Sequence, residues 1–456
     1  MPLAPERVHF VGIGGAGMSG IAMVLLDRGC KVSGSDLKKS EITDKLQMRG
    51  ARVFYGHSPS HLGDAELVVY SSAVPPDNPE LVTARKRGLP VVPRAEMLGR
   101  LMRHWKGIAV AGAHGKTTTT SLVAFLLERT GLDPTVIIGG EMNGFGNAKT
   151  GSGEFLVAEA DESDGSFFLL DPSIVVVTNV EDDHLDYYHT VEAIRKAFRE
   201  FIFKVPRDGV AVLNYDDPFL RRVAHELPVP VITYGSAPDA DCRAARFHLN
   251  GAVSGTDVYW RRELLGRLEL TIPGRHNLLN ALAVVAVGRH VGLEFPEIAQ
   301  ALRNFRGVRR RFELVGESRG VRVVDDYAHH PTEVRATLEA ARQTGPKRLI
   351  AVFQPHRYTR TRFLHKEFGK AFTAADQVCL TEIYPAGERP IPGVSARLIG
   401  DEIPKHQGVR PVLFEEQDQL VAYLAAMVRE GDLVITLGAG DIWRTGRALL
   451  RILEGR

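Results

Sequence analysis

A chain of 456 residues with 57 Lys and Arg against 55 Asp and Glu is too long for one ordinary core, and its length predicts about three domains. A net charge of +2 supplies no basic field that would argue for nucleic acid, and no apolar stretch is long enough to span a bilayer. Three scattered cysteines, Cys30, Cys242 and Cys379, form neither a metal-ligand spacing nor a disulfide framework, and the first residues lack an apolar signal core. The expectation is a cytoplasmic, multidomain α/β protein.

The first element is an apolar strand from Val8 to Val11. It meets Gly12-x-Gly14-x-x-Gly17 and then a helix, the layout of a dinucleotide fingerprint. A second strand ends in Asp36, about twenty positions on, where a ribose hydroxyl is usually read. The motif taken alone suits a nicotinamide cofactor. Its physics is broader, because a helix N-terminus with close backbone access suits any pyrophosphate, and we read it as a site for another nucleotide diphosphate. The strand at Leu67–Tyr70 ends in Ser71 and Ser72, which either donate to phosphates or cap the next turn. His57 and His61 read as surface or turn residues. A helix from Arg94 to Trp105 closes the domain.

The strand Ile108–Ala111 then enters Gly112-x-x-Gly115-Lys116-Thr117, a shortened phosphate loop with Val110 where the strict pattern has a glycine. Backbone N–H groups there cradle phosphate, the lysine neutralises it and a hydroxyl reaches magnesium. Two further strands end in acids. Phe155–Ala158 runs into Glu159, Asp161, Glu162 and Asp164; Ile174–Val177 runs into Glu181, Asp182, Asp183, His184 and Asp186. Crowded acids repel unless a cation sits among them, and Mg²⁺ takes only one or two protein carboxylates. Glu159 is the first candidate, with His184 for a second ion. The stretch from Pro206 to Leu270 carries no recognisable chemistry. Asn277 and Asn280, three apart at a helix start, are either caps or amides facing adenine.

A basic turn, Arg309-Arg310-Arg311, reads as an interdomain hinge, and one of its arginines reaching a γ-phosphate is the sharper reading. Four strand-ends follow: Asp325 to Glu333, Gln354 to Arg362, Thr381 to Pro385 and Gly438 to Ile442. They complete another doubly wound sheet. Gly438-x-Gly440 reads as close packing.

Taken with Gly274-Arg275-His276-Asn277, Asp325-Asp326-Tyr327-Ala328-His329-His330-Pro331-Thr332-Glu333 and Phe353-Gln354-Pro355-His356-Arg357, the first glycine loop, the Gly112–Thr120 loop and the Glu159–Asp164 acids resemble the Mur ligase family over essentially the whole chain. The resemblance implies three α/β domains: a Rossmann-like UDP-sugar-binding domain (1–105), a central P-loop ATPase-like domain (106–306) and a Rossmann-like C-terminal amino-acid-binding domain (307–456). It implies ATP-dependent joining of L-alanine to the lactyl carboxylate of UDP-N-acetylmuramic acid through an acyl phosphate, in peptidoglycan precursor synthesis. Gly14, Gly15, Ala16, Gly17, Met18, Ser19, Asp36, Ser71 and Ser72 would hold the UDP-sugar. Gly112, Ala113, His114, Gly115, Lys116, Thr117, Thr118, Asn277, Asn280, Arg311 and Asp326 would hold ATP, with Thr117, Glu159 and His184 on Mg²⁺. Lys116, Glu159, His184 and Arg311 would carry the catalysis. Tyr327, His329, His356, Arg357 and Arg360 would position the amino acid, and the C-terminal domain would close on the substrates.

Two departures stand out. Ala113 replaces the family's threonine, and no lysine, Lys196 included, matches the carbamylated metal-side lysine of several relatives. A monomer or weak homodimer without nucleic-acid or membrane partners is expected. The alternatives are a sister ligase that adds a preformed tripeptide to the same sugar nucleotide, an NAD-dependent dehydrogenase and a non-catalytic nucleotide-binding scaffold.

Overall fold

The structure, a computed structural model, describes residues 5–142 and 146–455. The chain divides into two compact units. One comprises Met1–Ala245, Val258–Gly266 and Leu279–Leu302; the other comprises Arg246–Asp257, Arg267–Leu278 and Arg303–Arg456.

The first sheet is built from β1 (Arg7–Val11), β2 (Lys31–Asp36), β3 (Arg52–Tyr55), β4 (Leu67–Tyr70) and β5 (Val91–Pro93), in the order β3-β2-β1-β4-β5 with all neighbours parallel. That order reverses between β1 and β4. The loops after these two strands, which carry Gly12–Gly17 and Ser71–Ser72, therefore flank the crevice where open parallel sheets bind ligands. The short strands β3 and β5 have no clear sequence signal; they extend a sheet already specified by its buried centre.

The second sheet contains β6 (Lys106–Ala111), β7 (Thr135–Met142), β8 (Gly146–Lys149), β9 (Phe155–Glu159), β10 (Ile174–Val177), β11 (Val210–Asn214), β12 (Val231–Gly235), β13 (Cys242–Asn250), β14 (Val253–Trp260) and β15 (Glu263–Leu270). Its order is β15-β14-β13-β12-β11-β10-β6-β9-β7-β8. Ile108–Ala111 and Val175–Val177 are fully buried, as strands covered on both faces must be. Because β6 pairs in parallel with both β9 and β10, the phosphate loop and both acid clusters emerge side by side at one sheet edge. The β7–β8 hairpin lies along the Ala16–Asp27 helix, close enough that a Cβ at Gly20 would stand 3.2 Å from Ile137 Cγ2 and 3.4 Å from Ala148 Cβ.

In the second unit, β16 (Glu313–Ser318), β17 (Val321–Asp326), β18 (Arg348–Phe353), β19 (Gln377–Thr381), β20 (Val412–Phe414) and β21 (Asp432–Leu437) form a sheet in the order β16-β17-β21-β18-β19-β20. Only the β16 edge pairs antiparallel. The strand-ends at Asp326, Leu437, Phe353 and Thr381 thus lie in sequence along one edge. Gly440 packs where the sequence suggested: a Cβ there would overlap Gln354 Oε1.

Candidate active site

In the first unit, the glycine loop is held open by its own strand-ends. Gly12 and Ile13 N–H both donate to Ser35 O, at 2.8 and 3.0 Å. Gly14 N–H donates to Asp36 Oδ2 at 2.8 Å, so Asp36 shapes the loop. Ser71 Oγ accepts from Ala73 N–H at 3.3 Å, the turn-capping geometry. Ser72 is exposed.

Ser19 departs from the expectation. Its N–H donates to Gly15 O, its hydroxyl donates to Ala16 O at 3.0 Å, and the same oxygen accepts from Asn147 Nδ2 at 2.9 Å. With both groups committed, Ser19 supports the helix start rather than offering a donor to phosphate. Asn147, on β8, also donates to Ala16 O at 2.6 Å; no motif pointed to it. Net hydrogen bonds are worth about 1 kcal/mol each. Asn147→Ala should therefore raise the KM for a sugar nucleotide roughly fivefold to thirtyfold and leave the KM for ATP alone, a split that steady-state kinetics reads directly.

Behind this loop lies a buried carboxylate that the sequence did not mark. Glu80, fully buried, accepts from Ser35 Oγ (2.6 Å) and Ser58 N–H (3.1 Å), and its oxygens stand 2.8 Å from His61 Nδ1 and 3.3 Å from His9 Nε2. Burial alone would raise its pKa; the bonds from His9, Ser35 and Ser58 outweigh burial and bring it down to about 2. His61, read as a surface or turn residue, closes on this carboxylate, and His57 Nδ1 stands 3.7 Å from it.

The phosphate loop turns on Gly112 (φ +138°) and Gly115 (φ +81°) into the Lys116–Arg129 helix. A Cβ at Gly112 would overlap Thr178 Oγ1, so only glycine fits there. Asn179 fixes the loop's middle, accepting from His114 N–H at 2.9 Å and donating to His114 O at 3.0 Å. His114 Nε2 in turn stands 3.3 Å from Glu181 Oε2. Ala113 N–H donates to Asn179 O at 3.2 Å. Thr117 and Thr118 are buried in the first helical turn.

Lys116 Nζ donates to Gly112 O (2.6 Å), Ala113 O (3.3 Å) and Glu162 Oε1 (2.6 Å). Burial opposes its charge, but Glu162, Asp161 and Glu159 raise its pKa above the ordinary value. Glu162 is the hub that sequence reading passed over. His184 Nε2 stands 3.6 Å from Glu162 Oε1 and 3.6 Å from Asp183 Oδ2, and Tyr188 OH donates to Glu162 O at 2.6 Å. Burial pushes the Glu162 carboxyl up to about 7 even against the Lys116 ammonium. Glu159 also lies against β7: a Cβ at Gly139 would stand 2.8 Å from its Oε2. The oxygen donors of Thr117, Glu159, Asp161, Glu162 and Asp183 at this edge suit a hard cation such as Mg²⁺. Glu162 Oε2, buried without a hydrogen-bond partner, is an acceptor such an ion would satisfy. Asn280, also in this unit, lies against the loop: a Cβ at Gly115 would stand 2.7 Å from Asn280 Oδ1.

In the second unit, the three consecutive arginines separate. Arg310 is structural, donating to Asp325 Oδ2 (3.1 Å) and Gly438 O (2.7 Å). Arg311 lies over the Tyr327 ring, 5.0 Å from its centroid. Asp326, expected on the ATP side, spends its carboxylate on the backbone, accepting from Phe312 N–H at 2.7 Å and Ala328 N–H at 2.8 Å. It therefore positions the segments carrying Arg311 and Tyr327. Burial raises its pKa to about 6, against Arg311 and those N–H donors. Asn277 donates to Pro273 O at 2.7 Å, a bond back to a carbonyl ahead of the helix and not the N–H-accepting geometry of a cap.

The amino-acid-side candidates do gather. Tyr327 and His329 meet edge-on at 5.4 Å, His329 and His356 at 5.5 Å, and Arg360 Nη1 reaches His356 Nδ1 at 3.2 Å. Arg357, with φ +70°, donates its N–H to Tyr384 O at 2.9 Å. Tyr384, which no motif singled out, stacks on His356 at 5.8 Å and 8°. His276 is half-buried in the same unit, and loss of solvation brings its pKa down from 6.5 to about 4. A folded pKa below the unfolded one means stability is present above 6.5 and lost as pH falls toward 4. Between pH 7 and pH 5, the wild type should lose about 2 kcal/mol that His276→Gln keeps, measurable by denaturant unfolding at the two pH values.

Comparison with known proteins adds a third line of observation. Residues 7–106 match the Mur ligase family catalytic domain, 110–288 the Mur ligase middle domain and 310–440 the Mur ligase glutamate ligase domain. The UDP-N-acetylmuramate–L-alanine ligase of Pelotomaculum thermopropionicum is 56% identical over 98% of both chains. The crystal structure of a UDP-N-acetylmuramate-alanine ligase from Thermotoga maritima superposes with a TM-score of 0.83 at 32% identity, covering 98% of this chain and 99% of that one. A UDP-N-acetylmuramate:L-alanyl-γ-D-glutamyl-meso-diaminopimelate ligase from Neisseria meningitides is similar over 67% of this chain and 100% of its own, with a TM-score of 0.62 at 31% identity.

Proposed function

Because the chain belongs to the Mur ligase family, we propose that it joins L-alanine to the lactyl carboxylate of UDP-N-acetylmuramate at the expense of ATP. The observation that carries this reading is the division of labour in the first unit. One helix N-terminus follows a dinucleotide-type loop on β1, and a separate phosphate loop with Lys116 and two acid clusters follows β6. The whole-chain similarity to alanine ligases favours L-alanine over a preformed tripeptide, and membership of a ligase family sets aside the dehydrogenase and scaffold readings.

A carboxylate is a poor electrophile, so its oxygen first takes the γ-phosphoryl group to give an acyl phosphate and ADP. Donor and acceptor are both anionic, and offsetting their repulsion is the main task of the protein. Lys116 would exchange its loop carbonyls for β- and γ-phosphate oxygens, and Arg311 would neutralise charge on the transferring group. A first Mg²⁺ would be held by Thr117 and Glu159 and a second by His184, and both would supply further charge neutralisation.

The neutral amine of alanine then attacks the acyl carbon, and phosphate leaves. His329 suits the accompanying proton transfer. Its Nδ1 lies 3.0 Å from Tyr327 O and 3.5 Å from Glu333 Oε2.

In this proposal residues 1–105 bind the UDP-sugar, 106–306 ATP and 307–456 the amino acid, in a cytoplasmic monomer or weak homodimer. No helix among the described residues is long and apolar enough to cross a membrane. Phosphate release from ATP, Mg²⁺ and UDP-N-acetylmuramate should require L-alanine. Release with L-alanyl-γ-D-glutamyl-meso-diaminopimelate but not with L-alanine would sink the reading.

A further inference from the structure

We propose that Arg94 is an additional binding residue for the sugar nucleotide, a guanidinium that takes the diphosphate at the start of the Ala16–Asp27 helix. The inference rests on reading the first domain as a UDP-sugar site. Arg94 opens the Arg94–Met102 helix directly after β5, at the same sheet edge as the loops after β1 and β4. Its side chain lies on Gly17: a Cβ built there would stand 2.9 Å from Arg94 Nη1 and 3.0 Å from Cδ. The guanidinium therefore rests over the first helical turn, whose N–H groups have no acceptor within the helix.

On its other side, Nη2 stands 3.6 Å from Asp161 Oδ2, two residues beyond Glu159. Arg94 is thus anchored by a fixed anion and still partly exposed, with 23% of its side chain accessible.

The N-terminal end of a helix carries partial positive charge and disfavours a cation. An arginine needed only to pair Asp161 gains nothing by lying across Gly17. A diphosphate between the helix N–H groups and the guanidinium resolves the conflict, since both ends then face negative charge and the planar fork can engage two phosphate oxygens. The lactyl carboxylate of the same substrate offers similar chemistry, but Gly17 belongs to the pyrophosphate loop, which favours the diphosphate.

Equilibrium titration of the full chain with UDP and, separately, with ATP tests the assignment. Arg94→Ala should bind UDP ~10- to 100-fold more weakly with ATP affinity unchanged. Arg94→Lys, which keeps the charge but not the fork, should fall between. The salt dependence of UDP affinity should flatten in Arg94→Ala, which a purely structural role would not produce.

UDP binding within about twofold of wild type would overturn the inference. So would a loss seen only with UDP-N-acetylmuramate, which assigns Arg94 to the carboxylate, and so would a joint loss of ATP binding, which assigns it to the fold. A wild-type chain that binds ATP but not UDP would instead remove the first-domain reading, and the inference with it.

Discussion

Lys116→Ala should lower amino-acid-dependent phosphate release by at least ~10³-fold while UDP affinity stays at the wild-type value. The lysine is the cation that the loop itself holds in place. Its ammonium is caught between Gly112 O at 2.6 Å and Glu162 Oε1 at 2.6 Å. These contacts hold it ready, and phosphate oxygens would take over the carbonyl side. Breaking a buried ion pair by removing one partner ordinarily costs ~3–5 kcal/mol of stability. Here the cost should be smaller, because a carboxyl already near 7 can take a proton and become neutral. The expected pattern is a folded protein that binds UDP and releases almost no phosphate. Retention of a tenth or more of the wild-type rate would remove Lys116 from the chemistry. Lys116→Arg should not rescue, since the wider planar fork does not fit a site built around a point charge.

The parts of this site that could be read from the sequence are those whose chemistry is local in the chain. Gly12-x-Gly14-x-x-Gly17 and Gly112-x-x-Gly115-Lys116-Thr117 each join a buried strand to a helix start, so glycine spacing and apolar runs suffice to place them. The acids after β9 and β10 were legible as a pair of clusters because they end two such strands.

Which acid does what was not legible. Beyond Glu159 the chain leaves the strand, side-chain direction no longer alternates, and Glu162 is aimed at Lys116 by the tertiary setting, with Tyr188 OH on its carbonyl. The arginine run shows the same limit. Arg310 and Arg311 are alike in sequence, and only the neighbouring Asp325 and Gly438 assign Arg310 to structure. Asn147 and Arg94 carry no motif at all; their roles come from one element packing against the Ala16–Asp27 helix. Ser19 lies inside a motif and yet turns its hydroxyl away, because Asn147 and Ala16 O claim it.

Glu162→Gln should cut kcat/KM for ATP by ~10- to 100-fold, the usual cost of losing a partner that orients groups around a metal site, and should change the shape of the pH profile. In the wild type the carboxyl has its pKa near 7. Below that value it is protonated and pairs neither with Lys116 nor with a cation, so kcat/KM should rise with pH through about 7 and then level off. Glutamine keeps the shape but cannot ionise, and that limb should vanish over roughly pH 6 to 8.

Stability should move the opposite way. A folded carboxyl pKa raised above the unfolded value of 4.5 contributes stability below 4.5 that is lost as pH climbs through 7. The melting temperature of Glu162→Gln relative to wild type should therefore increase between pH 4.5 and about 7 and level off above. An acid limb that persists in the glutamine variant would assign the titration to another group. A melting difference independent of pH would place the Glu162 proton elsewhere, leaving Glu162 only a fixed hydrogen-bonding partner of Lys116.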